Sequence, residues 1–167
     1  MILYLIRHAI AADAATPDAD DSQRPLTAKG RRKMHLIAQE LKALEVDLDL
    51  ILTSPYLRAA ETAEILAETF RLKKSQVIAS DHLAPIGHAD QLVNEVREKH
   101  GDVRSLAIVG HEPYLSGLAS VLIAGDPNVS IALKKGGVCR LAVDDLRYGR
   151  CAILEWLLPP KLAKIAP

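Results

Sequence analysis

Short apolar runs alternate with helical stripes along the first three-quarters of this chain, and no other feature limits its fold as strongly. Ile2 to Ile6 is a continuous apolar run, the pattern of a strand buried on both faces. Leu50 to Thr53, Val77 to Ala79 and Leu106 to Val109 repeat it, the last stopped by Gly110. Between these runs the period becomes helical. Met34, Ile37, Leu41 and Leu44 put one face of a helix, capped by Thr27, toward a core. Ser54-Pro55 supplies an N-cap hydroxyl and an N1 proline for a helix running to about Phe70. Ala89, Leu92, Val93 and Val96 mark a third helix ending before Gly101, and Leu115, Leu118, Ala119 and Leu122 a fourth ending near Gly125. Such alternation implies right-handed crossovers and a mostly parallel sheet covered on both faces.

After Gly125 the period changes to two. Residues 131–133, 138–143 and 150–157 read as strands, the last two as a hairpin that makes the sheet mixed. A turn centred near residue 145 sets Cys139 opposite Cys151 as cross-strand neighbours. Pro159-Pro160 ends the last strand and is expected to start a short terminal helix. The expected fold class is α/β, a three-layer α/β/α sandwich with a mixed, mostly parallel central sheet. The 167 residues, 1–167, read as one domain.

Lys plus Arg and Asp plus Glu both total 21, a balance unlike the basic excess that neutralises phosphates in a general nucleic-acid binder. No nucleic-acid partner is expected. No apolar run reaches the ~20 residues that span a bilayer, and the N-terminus lacks the basic start and cleavage site of a signal peptide, so no membrane association is expected. Two cysteines make no disulfide framework, and the expected location is the reducing cytoplasm.

In open α/β sheets ligands bind beyond the carboxyl ends of the strands. The first strand ends in Arg7-His8, the second in Thr53-Ser54 with Arg58 a turn later, and the fourth in Gly110-His111-Glu112-Pro113. Each has a structural explanation by itself: a polar strand cap, a helix start, a satisfied histidine. Together they set two histidines and two arginines on one sheet edge, where arginine forks suit phosphate oxygens and the helix starting near Ser54 points free N–H groups.

These segments also resemble a known family. Leu5-Ile6-Arg7-His8-Ala9 is similar to the Arg-His-Gly signature of the histidine phosphatase superfamily, which includes the phosphoglycerate mutases, with Ala9 standing for the usual Gly. Ser54-Pro55-Tyr56-Leu57-Arg58-Ala59-Ala60-Glu61-Thr62-Ala63 resembles its second motif and Val109-Gly110-His111-Glu112-Pro113 its third. Arg24-Pro25-Leu26-Thr27-Ala28-Lys29-Gly30 and the ending Glu155-Trp156-Leu157-Leu158-Pro159 resemble the SixA branch of phosphohistidine phosphatases. The resemblance implies His8 as nucleophile, forming a phosphohistidine intermediate. It implies Arg7, Arg58 and His111 as ligands of the phosphoryl oxygens, with Ser54 beside them, and no metal or other cofactor. Mutase-like members carry a glutamate general acid after the third strand. Here the region reads Ser80-Asp81-His82-Leu83-Ala84-Pro85, and Asp81 is the candidate acid.

A weak acid bears on the substrate. An alkyl phosphate ester needs its departing alkoxide protonated, whereas a protonated phosphohistidine departs as neutral imidazole, whose conjugate acid has a pKa of about 6.5. This favours a phosphorylated protein as partner, such as a histidine-phosphotransfer domain of a phosphorelay. The roughly 17 residues between the second and third helices leave little chain for a lid, which also suits a substrate presented on a protein surface. A small-molecule phosphomonoesterase is the alternative; a mutase and a non-catalytic phosphate-binding module rank below it. The loop acids Asp18, Asp20 and Asp21 read as solvated, as do Lys134-Lys135, while the loop over residues 9–26, acidic also at Asp13, is the remaining candidate cover beside the phosphate site. His82 and His88 lack a third ligand for a metal, His35 and His100 read as surface residues, and Cys139 and Cys151 as inert thiols.

Overall fold

A computed structural model of the chain describes residues 1–14, 16 and 18–163, and arranges them into one six-stranded sheet with four α-helices. In chain order these are β1 (Ile2–Arg7), α1 (Ala28–Ala43), β2 (Leu50–Thr53), α2 (Leu57–Phe70), β3 (Val77–Ala79), α3 (Ala89–His100), β4 (Ser105–Gly110), α4 (Tyr114–Ala124), β5 (Val138–Val143) and β6 (Ala152–Leu158). The strand order is β3-β2-β4-β1-β5-β6. Pairings β3·β2, β2·β4 and β4·β1 are parallel, and β1·β5 and β5·β6 antiparallel. The sheet is therefore mixed and mostly parallel, as expected.

Strand alternation feeds two cores. Leu3 and Leu5 of β1, Leu52 of β2, and Leu106 and Ile108 of β4 pack with Leu92 and Val96 of α3 and Leu118 and Leu122 of α4. Tyr4, Ile6, Ile51, Ala107 and Val109 face the other way, onto Met34, Ile37 and Leu41 of α1 and Ala59, Ala63 and Leu66 of α2. Both faces are thus covered, giving the three layers, and each fully buried leucine contributes roughly 1.5–3 kcal/mol. No helix among the described residues is long and apolar enough to cross a membrane.

Several expectations need correcting. Leu44 is exposed, because α1 ends at Ala43 and Leu44 caps its C-terminus; Ala38 completes the buried stripe instead. Residues 131–133 form no strand but run as irregular chain toward the turn before β5. β6 begins at Ala152, and Val143 pairs with Ala152 across an eight-residue connection. A register shift at Arg140/Leu141 adds one further residue on β6, so Cys139 faces Leu157, and Cys151 lies outside the ladder. The expected pairing of the two cysteines fails. Turn structure follows Pro159, and residues 164–167, where a terminal helix was expected to run, lie outside the described residues.

Candidate active site

β1, β4 and β2 are adjacent in the sheet, so the residues that follow their carboxyl ends meet at one edge. Arg7 ends β1, His8 and Ala9 follow it, His111 follows β4, and Ser54 follows β2. His8, His111, Ser54 and Arg58 are all buried. The two imidazole rings lie 5.1 Å apart, centre to centre.

His8 is held in one orientation. Its Nδ1 lies 2.7 Å from the Ala9 carbonyl, which only accepts, so Nδ1 carries the proton and donates. Nε2 then holds the lone pair and has no partner among the described residues. The Ala9 N–H donates to Thr62 Oγ1 at 3.1 Å, and Thr62 in turn donates to the Arg58 carbonyl at 2.7 Å. Ala9 does not adopt a positive φ; outside glycine, Glu45 and Arg71 are the described residues that do. Alanine therefore fits here without strain.

His111 is oriented from the other side. Its Nε2 lies 2.8 Å from Ser54 Oγ, and Ser54 Oγ also accepts from the Tyr56 N–H at 3.2 Å. No other acceptor for the Ser54 hydroxyl is found among the described residues, so its hydrogen points to Nε2, and the ring proton of neutral His111 sits on Nδ1. That Nδ1 is buried without a partner. The His111 and Tyr56 rings pack edge to face with centres 5.3 Å apart, and the Arg58 guanidinium lies 5.1 Å from the Tyr56 ring centre. Ser54 is not the helix cap: α2 starts at Leu57 behind Tyr56, and the hydroxyl is drawn to His111 instead.

Arg7 donates from Nη1 to the Leu133 carbonyl at 2.9 Å, and its Nε is buried and unpartnered. The turn that carries Lys134 and Lys135 is tied to the site, because Gly136 N–H donates to the carbonyls of Arg7 and His8 at 3.0 and 3.2 Å. Burial is the main cause holding the His8 pKa down to about 4; the Ala9 bond opposes it, while Arg58, Arg7 and Lys135 add to it. Burial likewise brings His111 to about 3, helped by His8, Arg58 and Arg7 and opposed by Asp21. Both imidazoles are neutral at pH 7.

Asp21 is not a merely solvated loop acid: the loop lies beside the site, as its role of cover implied, and Asp21 pairs with Arg58, Oδ2 being 2.9 Å from Nη2. Asp81 opens a short 3-10 turn after β3; its side chain is exposed and makes no hydrogen bond or ion pair among the described residues. Tyr56, Thr62 and Gly136 also escaped sequence reasoning. Tyr56 and Thr62 sit inside the second motif, which was the available signal, but their partners lie far along the chain.

Residues 3–87 match the family model for the histidine phosphatase superfamily, branch 1. The chain belongs to this superfamily. It is 32% identical over 133 residues to the phosphohistidine phosphatase SixA of Escherichia coli K12, covering 75% of this chain and 76% of that protein. An uncharacterized protein of Picosynechococcus sp. PCC 7002 is 41% identical over 169 residues, covering 95% of this chain and all of the relative. The structure of the protein histidine phosphatase SixA complexed with tungstate superposes with a TM-score of 0.83 and 27% identity, covering 96% of this chain and 98% of the other. The protein is thus a histidine phosphatase of the SixA-type branch, with the fold of the phosphoglycerate mutase-like enzymes.

Proposed function

We propose that this phosphatase works without a metal, through a phosphoenzyme on His8, and takes its phosphoryl group from a phosphohistidine on a histidine-phosphotransfer protein of a phosphorelay. The observation that carries the reading is the state of the buried nitrogens. His8 Nε2 is the unblocked lone pair, and three buried N–H groups without partners, Arg7 Nε, Arg58 Nε and His111 Nδ1, surround that sheet edge. Buried donors are almost always satisfied, so three together suit an anion with several acceptor oxygens. Tungstate, named in the SixA structure, is such an anion.

In the reaction, Nε2 of His8 bonds to phosphorus as the P–N bond to the substrate imidazole breaks. The substrate ring keeps the proton on its other nitrogen and leaves as neutral imidazole. Phosphorylated His8, protonated at Nδ1, is then the same kind of group as the phosphohistidine consumed, and the Ala9 carbonyl accepts from its cationic ring. Donor and product are matched, so the first transfer asks little of a general acid. Arg7, Arg58 and His111 meet the oxygen charge by geometry fixed in advance, and Ser54 sets the tautomer of His111. Water then attacks phosphorus as the P–Nε2 bond breaks and its electron pair returns to Nε2, the water proton leaves with solvent or phosphate, and inorganic phosphate departs from neutral, Nδ1-protonated His8. Asp81 remains the proposed acid for any ester substrate. Free Cys139 and Cys151 suit a reducing compartment, and the cytoplasm is the proposed location.

Labelling tests this. Brief exposure to a 32P-phosphohistidine domain, with excess chelator present, should leave acid-labile, alkali-stable label on the wild-type protein and none on His8→Ala. His111→Ala should label slowly. Full turnover by His8→Ala sinks the mechanism, and loss of wild-type activity in chelator sinks its independence of metal.

A further inference from the structure

Asp21 grips the Arg58 guanidinium from one side. Arg58 Nη1 donates to the Asp21 carbonyl at 2.7 Å, and Nη2 donates to Asp21 Oδ2 at 2.9 Å. Those bonds use the outer edge of the fork, shared by Nη1 and Nη2. The inner edge, made by Nε and the second Nη2 hydrogen, is uncommitted, with Nε buried and unpartnered. The Tyr56 ring, 5.1 Å away, restrains the plane of the guanidinium. One group fixes the plane and the other fixes the rotation within it.

Asp21 is itself anchored. It opens a short 3-10 turn, Asp21–Gln23, capped by the Asp20 carboxylate, which accepts from Ser22 N–H at 2.9 Å. Its second oxygen, Oδ1, lies 2.7 Å from Arg24 Nε, and Arg24 Nη1 donates to the Ala12 carbonyl at 3.1 Å. Further on, Leu26 N–H donates to the buried Glu61 carboxylate of α2 at 2.6 Å. Glu61 also pairs with Arg31 of α1. The loop is therefore tied down on both sides of Asp21, and the carboxylate arrives at Arg58 already placed.

We infer that Asp21 is a positioning residue: it turns the inner edge of Arg58 toward the phosphoryl group, so that two parallel N–H bonds meet two oxygens. The inference rests on the phosphoryl site proposed above. A carboxylate standing in for substrate would occupy the edge that substrate needs; here it occupies the other. Nor is Asp21 suited to give a proton. Partial burial works to raise its pKa, but bonds and charge from Arg58, then Arg24, outweigh it and hold the carboxyl below its ordinary value.

Tungstate binding, followed by titration calorimetry, tests the role. Asp21→Ala should weaken binding about tenfold or more, the scale of a charge-assisted hydrogen bond lost from a site. Asp21→Asn, which keeps an acceptor, should stay within about threefold of wild type. In an Arg58→Lys background no fork remains to be aimed, so Asp21→Ala should cost less than about twofold there. A structural role alone would carry its full cost into that background, and that result overturns the inference. Equal or tighter tungstate binding by Asp21→Ala overturns it too, and makes Asp21 a competing anion. If the wild-type protein binds no tungstate, the phosphoryl-site reading falls and takes this one with it. Wild-type binding with an indifferent Asp21→Ala defeats the role of Asp21 alone.

Discussion

A nucleophilic imidazole must be neutral and must present the right nitrogen. For His8 both conditions are met by local means: the Ala9 carbonyl claims Nδ1–H, and burial is the chief cause of a pKa near 4. His111 is neutral for the same main reason, with a pKa near 3. Nitrogen-15 NMR should find His8 as the neutral Nδ1–H tautomer at pH 7, with no titration until well below pH 5. Titration of both rings near 6.5 would remove the basis for the assignment. The same shifts act on stability. In the unfolded chain each imidazole takes a proton near 6.5, while in the folded protein it does so only near 4 or 3, so the unfolded state binds more protons between those values. Stability is therefore full above about pH 6.5 and falls as pH drops toward 4, by about 1.4 kcal/mol per unit for each ring. Urea titrations at pH 7 and pH 5 check the sign. Bound phosphate should lessen the fall, because its negative charge favours the protonated rings.

At the scale of elements, α1 shows how a short sequence stretch ties a loop to the site. Thr27 caps the helix, its Oγ1 accepting from Gly30 N–H at 2.9 Å, while Thr27 N–H donates to the Ile10 carbonyl at 2.9 Å. Gly30 is required by approach: a Cβ there would lie 2.1 Å from the Ile10 carbonyl oxygen. Helix propensity favours alanine over glycine by about 1 kcal/mol. The clash is larger. Gly30→Ala should destabilise the protein by roughly 1–3 kcal/mol net and lower activity, because Ile10 follows Ala9 and His8 directly. Urea unfolding that shows a more stable variant would mean that the loop yields freely.

Much of this was legible from periodicity. The four strands and four helices before Gly125 fall within a few residues of their expected bounds, because each buries a strongly patterned face. The readings that failed depended on distant partners. Ser54-Pro55 carries a helix-start signal, yet its hydroxyl is claimed by a histidine 57 positions away. Asp21 lies in an acidic, polar loop, and only the fold shows Arg58 beside it, 37 positions on. The cysteine register failed through one bulge and a longer connection, neither of which has a signal in alternation.

For the whole molecule, what matters is how little chain surrounds the site. From the end of α2 to the start of α3 the chain has residues 71–88, and nine of these form two 3-10 turns and β3. Leu83, in the middle of the segment after β3, is buried in the core and so cannot lift away as a cover. The loop over residues 9–26 is anchored to α2 by Asp21 on Arg58 and Leu26 on Glu61, and Arg24 ties it to itself at Ala12. What remains around the sheet edge is exposed surface, including Ile86, 86% exposed, and the Lys134-Lys135 turn. Such a rim offers a small metabolite few contacts beyond the phosphoryl group itself. A folded protein presenting phosphohistidine can touch the rim as well, and binding energy from those remote contacts is available to lower the barrier at phosphorus. A phosphorylated histidine-phosphotransfer domain should therefore exceed free phosphohistidine in kcat/KM by about a hundredfold or more, the effect of a few kcal/mol of added contact. Charge reversal at Lys134 should narrow that gap while leaving the rate on free phosphohistidine nearly unchanged, since Lys134, unlike Lys135, is not among the charges that act on His8. Equal kcat/KM for the two substrates, or a preference for a sugar phosphate, would make the exposed rim irrelevant and return the small-molecule phosphomonoesterase as the better reading.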